Sequence, residues 1–317
     1  MSTGVPGPHR SIPTRDDREV FLAELFDRMW DVYRSRVSHV QTYEQLVRSH
    51  GATFVNDHIA FRTFAWQRPM TGIATLGRIF EALGYRPAGV YYFDDKHLSA
   101  VHFQHPHPQF PKLFISELQT WLVPETATLL APYLSRHRSP LPVETLIDLN
   151  GIASLPSPRR RELADEILRQ FLERPWPRPE KADVQQINRH SQYAAWVLVH
   201  GYNVNHFTSL VNSHGVPALQ DLEATLAALR IAGVPVKAEI EGAPGSKLRQ
   251  SATEAVMMDV EVTEMGQPTR MPWSYAYFEL AERNPVPDPA TGDLVRFEGF
   301  LGPQATNLFE MTRVKSR

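Results

Sequence analysis

His58, His206 and Glu279 lie far apart in the chain, yet they are the residue types left to bind a first-row divalent metal when a sequence contains no cysteine. Each interrupts a run with strand character: VNDHIAFRTF (55–64), VNHFT (204–208) and YFELAER (277–283). Two imidazoles and one carboxylate on one side of an ion form the facial set of non-haem Fe(II) oxygenases, with adjacent coordination positions left open. Three open positions suffice for a 2-oxo acid, chelating through its carboxylate and keto oxygen, together with O2. Arg62 follows His58 by four residues, so the period-two alternation of a strand puts Asn56, His58, Ala60 and Arg62 on one face. A guanidinium there suits a substrate carboxylate, because its fork matches two oxygens at once.

Spacing alone leaves this reading weak, since no short motif such as HxD links the ligands. A histidine in a strand is more often a hydrogen-bonded structural residue, and Glu279 and Arg62 could instead close a salt bridge in the core. Burial strengthens the case: charged groups within apolar strands need a partner, a metal or a ligand. Other groups are weaker. His97, His102, His105 and His107 are dense but flanked by prolines, share one loop and lack a carboxylate, so they read as a solvated strand and turn. Ser246, Gln250 and Ser251 in GSKLRQSAT (245–253) are candidates for hydrogen bonds to a substrate, because a glycine-led strand lets backbone approach a ligand; a surface hairpin explains them nearly as well. Lys96 could add a cationic contact for a dicarboxylate, or be simply solvated. GAPGSK lacks phosphate-loop spacing, and no GxSxG elbow appears.

The elements that must position these residues follow from periodicity. The 317 residues, 42% hydrophobic, can bury one substantial core. Residues 1–17 read as a mobile tail rich in Pro, Gly and Ser, ahead of a single catalytic domain over 18–317. Phe21, Leu22, Leu25, Phe26, Met29, Trp30 and Tyr33 mark an amphipathic helix, and another is expected near 43–50. A first module, about 51–110, reads as the His58 strand, a helix over 72–83, then strands at 90–93 and 98–103. Residues of about 111–192 read as a helical, proline-punctuated insertion. A second module, about 193–285, repeats the order with AAWVLVHGYNVNHFTSLV as an apolar strand-like run, a helix over 219–232, strands near 236–240 and 255–262, and WSYAYFELAER. A C-terminal segment, about 286–317, would act as a lid. The expected fold is α+β: two βαβββ-type modules forming a curved mixed sheet around a metal cavity.

A formal charge of −2, from 33 basic and 35 acidic residues without a run of five or more like charges, gives no electrostatic footprint for nucleic acid or an anionic membrane. A small-molecule partner fits better. The first twenty residues lack the apolar core of a signal peptide and no stretch approaches 18 apolar residues, so the expected location is the cytoplasm.

At these same residues the chain, from about Phe21 onward, resembles the bacterial 2-oxoadipate dioxygenase/decarboxylase family, also called hydroxyglutarate synthase, and its plant relatives. The ordered matches are HxxxR (58–62), FPKLFISEL (110–118), VNHFT, GSKLRQSAT and YFELAER. The resemblance implies a vicinal-oxygen-chelate-like fold, Fe(II) as cofactor with His58, His206 and Glu279 as its ligands, and Arg62 gripping a substrate carboxylate. It further implies conversion of 2-oxoadipate and O2 to 2-hydroxyglutarate and CO2, a step of lysine breakdown. A related dioxygenase acting on another 2-oxo acid, or a non-catalytic metal or small-molecule binding protein on the same scaffold, are the alternatives. FEGFLGPQATNLFEM (297–311) is similar, more distantly, to the C-terminal segment of 4-hydroxyphenylpyruvate dioxygenase, where a helix covers the iron site. That implies a lid helix at 307–312; an ordinary terminal helix with Leu308 and Phe309 in the core is the plainer reading.

Overall fold

A computed structural model describes residues 6–138, 141–302 and Thr312. The chain enters through a 3-10 turn, Pro8–Ser11, and helices α1 (Asp17–Arg36) and α2 (Ser38–Ser49). Asp16 caps α1 by accepting the amide of Glu19. The first module is β1 (Asn56–Gln67), α3 (Ile73–Ala82), β2 (Arg86–Phe93), β3 (Leu98–Gln104) and β4 (Lys112–Gln119). Five helices follow: α4 (Pro124–Leu134), α5 (Val143–Asn150), α6 (Ser157–Leu172), α7 (Lys181–His190) and α8 (Gln192–His200). The second module comprises β5 (Val204–Leu210), α9 (Leu222–Ile231), β6 (Leu248–Ala252), a hairpin of β7 (Met257–Glu264) and β8 (Gln267–Ser274), and β9 (Glu279–Arg283).

The main sheet runs β2-β3-β4-β1-β5-β9-β6, with the two-residue strand Met70–Thr71 pairing the end of β1. Each module pairs its first strand in parallel with its last, β1 with β4 and β5 with β9. The two first strands then pair antiparallel at the centre. The fold is therefore α+β, two βαβββ-type modules joined into one curved mixed sheet, with helices added before and between them. In the second module the counterpart of β2 is reduced to isolated bridges of Val236 to Thr253 and of Glu241 to Gln250.

Alternation along the central strands sorts the sheet into two faces. Outward, Phe207 of β5 packs between Trp30 and Tyr33 of α1 at 5.0 and 4.9 Å, and Phe61 of β1 meets Phe80 of α3 and Phe171 of α6 at 5.6 and 5.0 Å. Inward, the same strands present His58, Arg62, His206 and Thr208. Ahead of α1, buried His9 places its ring nitrogens 2.9 Å from Asp27 Oδ1 and 3.0 Å from Asn56 Oδ1, fastening this segment to the first residue of β1. Among the described residues no helix is long and apolar enough to cross a membrane.

Three elements differ from their sequence patterns. AAWVLV belongs to helix α8, because a run buried on every side loses the periodicity that separates helix from strand. Its caps carried the signal: Ser191 accepts the amide of Ala194, and Gly201 ends the helix at φ +67°. Lys112–Gln119, expected in the helical insertion, is strand β4, held between β1 and β3. The strand near 255–262 lies outside the main sheet, in the β7–β8 hairpin, where buried Val260 and Val262 alternate with exposed Met257, Asp259 and Glu261. The helix expected over 307–312 lies outside the described residues apart from Thr312.

Buried His200 on α8 donates from Nε2 to the Ser274 carbonyl at 2.9 Å, and burial pushes its pKa down to about 3. Its ring stays neutral when folded but takes a proton below about pH 6.5 when unfolded, so it stabilises the fold above that pH and this contribution is lost as pH falls toward 3. Urea unfolding of wild type and His200→Gln at pH 6, 5 and 4 checks this. The wild type is expected to lose stability more steeply, by about 1.4 kcal/mol per pH unit; parallel slopes would refute the assignment.

Candidate metal centre

The central pairing brings the three ligand candidates together. Ala60 faces His206 and His58 faces Thr208 across β1 and β5, while Glu279 of β9 is in register with Thr208 from the other side. The two Nε2 atoms lie 3.3 Å apart; Glu279 turns Oε1 to His58 at 3.4 Å and Oε2 to His206 at 3.2 Å. Exposure is 2% for His58, 7% for His206 and 0% for Glu279. Among the described residues this is the group of His, Asp and Glu side chains arranged to hold a metal ion.

The donor set fits such an ion. Three donors at right angles around one cation, each about 2.1 Å away, would stand about 3.0 Å from one another; the two Nε2 atoms are 3.3 Å apart, and one atom from each of the three residues lies within 4.8 Å of the others. Glu279 Oε2 is buried and accepts no hydrogen bond, whereas Oε1 accepts one from Gln250 Nε2 at 2.6 Å. Without a cation the site disfavours charge: burial, then Glu241, pushes the Glu279 carboxyl well up, and burial pushes both imidazoles down, His206 furthest. A divalent ion reverses that balance by giving the carboxylate a counter-charge and the neutral nitrogens a Lewis acid.

A second set of groups orients the histidines. Asp57 Oδ2 lies 2.8 Å from His58 Nδ1, which holds the proton on Nδ1 and leaves Nε2 as the donor atom. Arg283 grips the same carboxylate with Nε at 2.6 Å and Nη2 at 2.9 Å. Burial alone would raise the Asp57 carboxyl, but Arg283, Lys112 and His58 hold it well below the usual range. Losing one partner of this buried pair would strand the other's charge, a cost of about 3–5 kcal/mol. The equivalent support in the second module is neutral: His206 Nδ1 sits 3.1 Å from Asn205 Oδ1.

Arg62 is buried on the same face. It donates from Nη1 to Thr312 Oγ1 at 2.8 Å, and its guanidinium lies over the rings of Tyr193 and Trp196 at 5.2 and 5.3 Å. A cavity of about 30 Å³ joins Arg62 to the metal group, walled also by Phe114, Ser116, Gln250, Tyr277 and Phe300. That volume holds an ion or a water or two. Phe300 forms part of that wall, its ring 4.9 Å from that of His58.

Of the other sequence candidates, Gln250 lines the cavity. Ser246 caps its own turn, donating to the Leu248 carbonyl at 3.1 Å, while Ser251 donates to the Glu239 carbonyl at 3.1 Å. Lys96 lines a separate cleft of about 500 Å³ with Asp95, Arg189 and Tyr193. The dense histidines disperse: His97 is exposed, His102 bonds Tyr91, His105 Nδ1 accepts the amide of His107, and His107 bonds the Pro13 carbonyl. Asp57 was missed. Alternation assigns it to the face opposite His58, but the pairing of β1 with β5 slips between Asn56 and His58, and a bulge re-aims side chains. An acid inside VNDHIAFRTF was the available signal.

A model of the family described as 2-oxoadipate dioxygenase/decarboxylase matches residues 22–296. The chain is 27% identical, over 97% of its length and 82% of the relative's, to a rice (Oryza sativa subsp. japonica) protein named 2-oxoadipate dioxygenase/decarboxylase, chloroplastic/amyloplastic. It is similar to the crystal structure of the Oryza sativa hydroxyglutarate synthase in complex with 2-oxoadipate, at TM-score 0.74 and 25% identity, covering 99% of this chain and 98% of that one. A protein from Ralstonia eutropha JMP134 described as of the glyoxalase superfamily shares the fold, with TM-score 0.77 and 23% identity over 90% of this chain and 87% of that one.

Because a cation must displace the proton that burial keeps on Glu279, metal binding is expected to release about one proton and to tighten as pH rises. Calorimetry of cation binding in two buffers of different ionisation heat measures that release. Binding without proton release, or unchanged affinity in Glu279→Gln, would remove Glu279 from the ligand set.

Proposed function

Because the chain belongs to the 2-oxoadipate dioxygenase/decarboxylase family, we propose that it is an oxidoreductase that converts 2-oxoadipate and O2 to 2-hydroxyglutarate and CO2 on an Fe(II) ion held by His58, His206 and Glu279. Carbon and oxygen balance within one substrate molecule: a six-carbon oxo diacid and O2 give a five-carbon hydroxy diacid and CO2, so no second oxo acid is consumed. The observation that carries the reading is the buried Glu279 carboxylate set against two imidazole nitrogens, on the same sheet face as Arg62. Bound iron supplies the redox chemistry that activates O2 beside the ketone.

The chain supplies the rest. Arg62 pairs with a substrate carboxylate, its plane already fixed by Tyr193 and Trp196. Gln250 holds one oxygen of Glu279 and so orients the carboxylate. Phe114 and Phe300 keep the cavity dry, which protects reactive species from water. The cytoplasm is the proposed location.

Oxygen uptake by anaerobically Fe(II)-loaded protein with a panel of 2-oxo acids tests this. Uptake is expected to be fastest with 2-oxoadipate, with stoichiometric CO2 and 2-hydroxyglutarate, and to vanish in His206→Ala. If no acid stimulates uptake, or uptake survives His206→Ala, the reading fails; if an aromatic or branched acid is preferred, the substrate assignment alone fails. Arg62→Lys, which keeps the charge but loses the fork, is expected to bind metal normally and to lose about 100-fold in kcat/KM for dicarboxylates, the size of one charge-assisted pair. Unchanged kinetics would remove Arg62 from substrate binding.

A further inference from the structure

The carboxylate of Asp57 is shared between two tasks. On one side it accepts from His58 Nδ1 at 2.8 Å; on the other it is gripped by Arg283 at 2.6 and 2.9 Å. The third guanidinium nitrogen of Arg283 reaches away from the metal group and donates to two backbone carbonyls, of Phe297 at 3.2 Å and Gly299 at 2.7 Å. Those residues belong to a short strap, 297–300, whose last residue, Phe300, lines the cavity. Glu298 pairs with Lys112, the residue in register with His58 on β4. Phe300 packs edge-on against His58 and lies 5.0 Å from the Arg283 guanidinium, and its amide donates to Tyr91 Oη at 3.3 Å.

The cavity, about 30 Å³, is too small for a six-carbon diacid, so its wall must shift for substrate to enter, and the strap ends in Phe300, which is part of that wall. Lifting the strap removes two acceptors from Arg283 and the ring from His58, the same arginine and histidine that Asp57 joins. The second module provides an internal contrast, because His206 leans on neutral Asn205, which has no link to the strap.

We propose that Asp57 is a positioning residue that couples seating of the 297–300 strap to the metal affinity of His58, with Arg283 as the connecting group. The inference rests on the metal-site reading above. Cation binding at Nε2 draws charge from the imidazole and strengthens the Nδ1 contact to Asp57. That fixes the carboxylate, which fixes Arg283, whose remaining N–H groups then hold the strap carbonyls. Strap seating, in turn, returns a better-oriented ligand to the metal.

The test uses the full chain with Co(II) as probe metal. Chelator competition and the visible Co(II) spectrum are followed for wild type, Asp57→Asn, Asp57→Glu and Arg283→Lys, and hydrogen exchange of the 297–300 amides is measured with and without metal. Asp57→Asn is expected to bind Co(II) about 10- to 100-fold more weakly with a changed spectrum, with partial recovery in Asp57→Glu. Metal is expected to slow strap exchange in wild type and not in Arg283→Lys. Exchange at 297–300 indifferent to metal in wild type would overturn the coupling without need of any variant, and wild-type affinity in Asp57→Asn would overturn the role of Asp57. Failure of wild type itself to bind Co(II), or binding that survives His206→Ala, would instead strike the metal-site reading and this inference with it.

Discussion

The antiparallel pairing of β1 with β5 is the contact on which the site depends. It brings His58 and His206, 148 residues apart, to 3.3 Å, and it does so through backbone hydrogen bonds whose register leaves no choice of partner. A slip of one residue would send every inward side chain outward, exchanging His206 for Phe207 in the cavity. Such a slip is opposed on the outer face, where Phe207 is packed between Trp30 and Tyr33. It is opposed at the strand's start as well, where Asn56 donates to the carbonyls of His58 and Thr208 and so closes the bulge with its own amide. The packing of Phe207 between Trp30 and Tyr33 therefore holds the two histidines in register from the opposite face.

Charge in the interior is arranged around one deficit. Asp57 has Arg283, and Glu298 has Lys112, so two buried or half-buried acids near the cavity are matched by cations from β9 and β4. Glu279 is different: its ion-pair contacts are to two imidazoles, and its carboxyl is driven toward the protonated form. A fold that supplies guanidinium and ammonium to the nearby acids, and to this one two imidazoles and the neutral amide of Gln250, leaves a place for a cation from outside. The coulombic push of Glu241 adds to that tendency, and Lys237 opposes it.

Much of this was legible in the chain. The His58 strand, the helices of both modules and the paired module order follow from period-two and three-and-four patterns, and burial of ionisable residues in apolar strands singles out His58, Arg62 and Glu279. What stayed hidden was set by tertiary structure. Helix α8 is apolar all round, so nothing in its pattern distinguishes it from a buried strand. Strand β4 is buried on both faces and lies against a helical region in sequence, so its alternation is muted. Asp57 is concealed by a bulge, a backbone event with no residue signature, and Arg283 is visible in YFELAER but not its partner 226 positions away. The strap could be seen as sequence, but not that its carbonyls would bond the arginine holding Asp57.

These contacts also decide which part of the wall yields. Inner-face ligands sit on strands whose backs are covered by α1, α3 and α6 through close aromatic contacts, so moving a strand would open the core. The 297–300 strap, by contrast, is attached mainly by polar contacts: hydrogen bonds with Arg283, Tyr91, Gln104 and Asn284, and the pairing of Glu298 with Lys112 and Arg296. The ring of Phe297 meets Lys247, while that of Phe300 packs among His58, His102 and Phe114. Each of those polar bonds can be exchanged for water at small net cost, whereas an emptied aromatic core cannot. The strap is thus the element that can move while the ligand triangle stays in place. The wall therefore divides into a floor fixed by the core and a cover held by exchangeable bonds.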